Sequence, residues 1–161
     1  MIRKTLAAAL AATLFAGAVF ADENTQVRDI DVEADIAAIN NPAAAAYWTN
    51  VADDLENAIV ARITNRTSDD GVKISVDISE VELANAFENV TNVAETKMVG
   101  QVNVTSDTDN TEFNSYELTV SVEEALPFFP PGTTVVMITR DTPEYYKAMV
   151  EAFAEAVVKR L

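Results

Sequence analysis

Strict alternation of apolar and polar side chains over three separate stretches constrains this chain more than any other feature. Val72, Ile74, Val76 and Ile78 alternate with Lys73, Ser75, Asp77 and Ser79. Met98, Gly100, Val102 and Val104 repeat the pattern, and so do Tyr116, Leu118, Val120 and Val122. Successive side chains of an extended backbone point to opposite faces, so each stretch reads as a strand with one buried and one wetter face. Such strands suit an antiparallel sheet that is covered on one side only. A further strand is expected over Val27 to Ala34, where Ile30, Val32 and Ala34 alternate with Asp29, Asp31 and Glu33.

The cover for that sheet is legible as helices. Asn41-Pro42 reads as an N-cap followed by the first helical residue, and the helix is expected to run to about Arg66. Ala44, Trp48, Val51, Leu55, Ile59 and Ile63 recur at spacings of three and four and make one apolar stripe. Ser68-Asp69-Asp70-Gly71 is a stop and turn signal. The last helix opens at Asp141-Thr142-Pro143-Glu144, with Tyr146, Met149, Val150, Phe153, Val157 and Leu161 as its buried stripe and Lys159 and Arg160 at its negative end. Between these elements, residues Val81 to Ala94 are apolar without a clear period and read as a strand extension and an irregular crossing. Thr105 to Ser115 is a polar hairpin loop, Pro127 to Gly132 a rigid one, and Thr134 to Ile138 a short fifth strand. The expected order is β-α-β-β-β-(β)-α. That is an α+β fold: a two-layer sandwich in which two amphipathic helices cover one face of a mostly antiparallel sheet of four to five strands. The first helical crossover makes strands one and two parallel neighbours.

The N-terminus follows a different logic. Arg3 and Lys4 precede the apolar, alanine- and leucine-rich run Thr5 to Phe20, and Val19-Phe20-Ala21 gives way at once to Asp22-Glu23-Asn24. This is the layout of a secretory signal peptide cleaved after Ala21, leaving 22–161 as a single α+β domain. About 16 apolar residues dominated by alanine are few for an anchor spanning a bilayer core, so stable membrane insertion after cleavage is not expected. An exported chain with no cysteine fits a bacterial periplasm better than a disulfide-forming eukaryotic route. On that reading the triplets at Asn65, Asn89 and Asn103 are chance matches to a glycan acceptor.

Charge and missing residue types exclude several activities. The chain has 26 Asp and Glu against 11 Lys and Arg, a net charge of −15. Loss of residues 1–21 would leave 9 cations against 26 acids, or −17. Phosphate backbones and anionic lipids need a basic footprint, so nucleic-acid binding is not expected. With no His and no Cys there is no Ser-His-Asp or Cys-His nucleophile system, no disulfide and no ordinary zinc site. No Walker loop or dinucleotide fingerprint is present, so no cofactor is expected.

Three segments carry a resemblance: Asn41-Pro42 to Trp48, the run Gly71-Val72-Lys73-Ile74-Ser75-Val76-Asp77-Ile78, and the ending Thr142-Pro143-Glu144-Tyr145-Tyr146. With them the chain resembles uncharacterised small, acidic, cysteine-free exported proteins of Gram-negative bacteria. The resemblance implies export and an α+β fold, and brings no catalytic motif.

Candidate sites are few. Phe128 and Phe129, held by Pro127, Pro130 and Pro131, are two adjacent aromatics on a stiff loop, which lowers the entropic cost of binding a partner. One ring is also suited to plug the open end of the core, so one in and one out is a consistent arrangement. Asp107, Asp109 and Glu112 place oxygen donors along a loop, as a hard cation requires. The EF-hand pattern fails there, because no glycine stands at its sixth position and Leu118 replaces the bidentate acid. The acids Asp29, Asp31, Glu33 and Asp35 read as charge that protects an edge strand. No pair of carboxylates is selected by any motif, so no catalytic residue is named. The leading expectation is a non-enzymatic periplasmic accessory or binding protein of the cell envelope, acting through a sheet edge or the Phe128–Pro131 loop on an envelope protein. A carboxylate-dependent hydrolase of cell-wall material and a weak divalent-cation binder are the alternatives.

Overall fold

The alternating stretches form the strands that their pattern requires. The computed structural model describes residues 25–88, 93–107 and 113–161. Strands β1 (Val27–Glu33), β2 (Val72–Ile78), β3 (Lys97–Thr105) and β4 (Asn114–Ser121) make one sheet in the order β1-β2-β3-β4. β1 runs parallel to β2, and β2-β3 and β3-β4 are antiparallel. The inner face carries Ile74, Val76, Ile78, Met98, Val102, Leu118 and Val120, all buried.

Two helices, α2 (Val51–Arg62) and α5 (Pro143–Val158), cover that face. Asp54 accepts a hydrogen bond from the Tyr146 hydroxyl at 2.6 Å, while Arg62 pairs with Glu151 at 2.7 Å and Glu155 at 3.2 Å. Early residues thus meet early residues and late meet late, so the helices run side by side in one direction. Ala148, Ala152 and Ala154 widen the buried face of α5 beyond a narrow stripe. α5 begins at a built cap: Thr142 Oγ1 accepts from the Tyr145 N–H at 3.2 Å, and Pro143 stands at the first turn. Two glycines sit at close approaches. A Cβ on Gly100 would stand 3.0 Å from both Ile78 Cδ1 and Phe153 Cζ, and one on Gly71 would stand 2.7 Å from the backbone of Gln26 and Arg28. Among the described residues no helix is long and apolar enough to cross a membrane.

Four expectations are corrected. The first helix is two, α1 (Pro42–Tyr47) and α2, and it ends at Arg62 rather than near Arg66. The break at Trp48-Thr49-Asn50 follows poor helix formers, and it seats the indole in the core, with Nε1–H donating to the Leu83 carbonyl at 3.0 Å. Residues after β2 form helix α3 (Glu80–Glu88), not a strand extension. Its signal was Ser79-Glu80-Val81-Glu82, the spacing of a capping box, and Ser79 Oγ accepts from the Glu82 N–H at 3.4 Å. Two buried positions, Leu83 and Ala86, are too few to show a period. The fifth strand is absent from the sheet: Val135–Met137 is a 3-10 turn with Val136 94% and Met137 68% exposed. At the α5 start, Tyr145 is fully buried and Tyr146 only half-buried.

Candidate functional site

β4 ends at Ser121, whose side chain caps the short helix α4 (Val122–Ala125). Glu124 bonds back to the Ser121 N–H at 2.7 Å, completing a capping box that swings the chain off the sheet. The next residues, Leu126–Phe128, form a 3-10 turn against α5. β4 therefore pairs with no strand other than β3 among the described residues. Between its outer edge and α5 lies a groove of about 540 Å³, with Leu118, Val120, Pro127, Phe128, Ala152 and Ala156 as its apolar lining. Its rim carries Glu124, Glu155, Lys159 and Arg160. Lys159 is held by Glu155 at 3.2 Å, and the Arg160 guanidinium lies 5.0 Å from the centre of the Tyr116 ring.

The Pro-rich loop divides its two rings. Phe129 is 8% exposed and belongs to the core, whereas Phe128 is half-buried and faces the groove. Pro130 and Pro131 are exposed beside them. The loop that sequence selected thus supplies one plug and one groove wall.

The open face of the sheet is polar, and register organises its charge in rows. Asp29 lies opposite Lys73, and Asp31 opposite Ser75. Lys73 bridges Asp29 at 3.5 Å and Asp31 at 2.9 Å, which raises its pKa through the hydrogen bond to Asp31 above all. Ser115 donates to Asn103 at 2.7 Å and receives from Gln101 at 3.0 Å. The row Glu33, Asp77, Gln101, Glu117 carries three acids and no cation. Asp77 and Glu117 also line a cleft of about 310 Å³ with Glu80, Glu82 and Lys97. Glu80 accepts from the Asp35 N–H at 2.9 Å and Glu82 pairs with Lys97 at 3.7 Å, whereas Asp77 and Glu117 enter no ion pair among the described residues. They stand two strand spacings apart, roughly 10 Å between backbones.

Of the loop acids, Asp107 is exposed and forms an ion pair with Arg28 at 2.6 Å. Asp109 and Glu112 lie outside the described residues. Among the described residues no three acids gather as a cation would need. Sequence reasoning missed the groove and the uncompensated row, since both depend on register and on where α5 crosses the sheet. Compared with known proteins, the chain matches no family model, no curated sequence and no solved structure.

Proposed function

We propose that this is a non-enzymatic accessory protein of the bacterial cell envelope, exported to the periplasm, which binds an envelope protein along the outer edge of β4 and the groove at Phe128. The observation that carries the reading is the conjunction of a regular strand edge, unpaired among the described residues, with an apolar groove beside it. An edge strand offers a row of N–H and C=O groups to an incoming segment, and a neighbouring pocket selects its side chains. The signal-peptide layout of residues 1–21 and the net charge of −15 support export and solubility.

The test is Phe128→Ser, with Phe129 left in place because it belongs to the core. The wild-type chain, crosslinked in intact cells and recovered from the envelope fraction, should retain a partner that the folded variant loses. Equal capture by both, or a chain found only in the cytosol, would overturn the reading. A second reading, water-mediated hydrolysis of cell-wall material, is favoured by Asp77 and Glu117 facing one cleft. Release of soluble wall fragments that Asp77→Asn abolishes would put it first.

A further inference from the structure

The reading of β4 as a docking edge leaves the partner's chemistry open, and the two faces of β4 supply it. A strand added to β4 lies about 4.8 Å away, and its side chains alternate between the open face and the groove. On the open face the next side chain meets Glu117, at about 5 Å between Cβ atoms. Glu117 continues the row through Gln101 to Asp77 and Glu33, and none of these three acids has an ion pair among the described residues. The lysines of that face are engaged elsewhere, Lys73 with Asp29 and Asp31, Lys97 with Glu82. On the groove side the same strand meets Phe128, Ala152 and Ala156, with Glu124, Glu155, Lys159 and Arg160 at the rim. Both rim acids are engaged, Glu155 with Lys159 and Arg62 and Glu124 with the Ser121 N–H, so a cation there gains little, whereas an apolar side chain leaves water.

We propose that the partner presents an extended segment in which Lys or Arg alternates with apolar residues, the basic side chains reaching Glu117 over the open face and the apolar ones filling the groove at Phe128. A second copy of β4 fits poorly, because it would bring its own Glu117 to the same face of a chain with a net charge of −15.

Three peptides of eight residues, the length of β4, test this: alternating Lys and Val, alternating Glu and Val, and the Lys/Val composition in two blocks. The expected result is saturable binding of the alternating Lys/Val peptide alone, measured by fluorescence anisotropy. Glu117→Gln should weaken it about three- to fivefold, and Phe128→Ser about tenfold or more. N-methylation of alternate peptide amides on the pairing edge should abolish it. Circular dichroism and Trp48 fluorescence establish that each variant is folded. Equal affinity for the acidic or the block peptide would overturn the assigned chemistry and leave the edge as a docking site. No binding of any peptide to the wild-type chain would overturn the edge itself, and with it the reading of the function. A concentration-dependent dimer that Phe128→Ser dissociates would replace the partner by a second copy.

Discussion

At one end of the sheet, β1 enters through an irregular step between Val27 and Asp29, and its acids Asp29 and Asp31 turn to Lys73 on the neighbouring strand. At the other end, β4 pairs with β3 over eight registered positions without an irregularity and carries the single acid Glu117. Charge and a kinked ladder discourage a further strand at β1. β4 has neither device, and the groove at Phe128 lies beside it. Protection of a sheet edge is therefore local: one sheet closes one edge by charge and leaves the other regular, unpaired among the described residues and apolar on one flank.

The largest effects should come from the residues that build each edge. Phe129→Ser removes a buried ring and should cost about 3–4 kcal/mol, while Phe128→Ser, facing the groove, should cost less than about 1 kcal/mol. Urea unfolding followed by Trp48 fluorescence separates the two, and equal losses would remove the division of the loop into plug and wall. Gly71→Ala forces a Cβ to 2.7 Å from the backbone that leads into β1. It should lower stability by about 3 kcal/mol, with hydrogen exchange rising first in β1 and last in β4.

Lys73→Gln sharpens the comparison further. It leaves Asp29 and Asp31 without their cation, and a small stability loss that shrinks with added salt is expected. A large loss, insensitive to salt, would mean that the β1 edge depends on packing rather than charge. The last test is alkaline. Burial and the bond to Asp54 push the Tyr146 phenol well above its ordinary value, and burial raises Tyr116 on β4 against the opposing pull of Arg160. A raised folded-state pKa gives stability that is whole below the unfolded value, about pH 10, and declines as pH rises towards the folded value. Melting temperatures measured from pH 9 to 12 (about one unit below and two above that value) should fall, and the fall should be gentler in Tyr146→Phe. An unchanged slope would take Tyr146 out of the account.

Much of this architecture is written locally. Period two marked the interiors of all four strands, because a half-buried strand must alternate. Thr142-Pro143 marked the start of α5, because a cap and a fixed proline φ act within one turn. Trp48 illustrates what spacing misses. It keeps the three-and-four period of a continuous helix, yet the chain breaks beside it so that its indole can reach the Leu83 carbonyl. Ser79 was legible in hindsight as a cap, but α3 buries too little to announce itself. Val135 to Ile138 had strand-forming residues and no neighbour to pair with, since the capping box at Ser121 had already carried the chain away from β4.

The candidate site divides in the same way. Phe128 and Phe129 were visible as a pair on a stiff loop, and their opposite fates were not. Which ring enters the core depends on where the turn at Leu126–Phe128 lies against α5. The acids of Glu33, Asp77 and Glu117 are scattered over 85 positions of chain and meet only through register. Alternation, caps and net charge are properties of residues and their immediate neighbours, so the four strands, the two covering helices and the excess of acids could be read along the chain. Edges, grooves and charge rows are relations between distant segments, and they were settled only when strand order and the crossing of α5 brought those segments together.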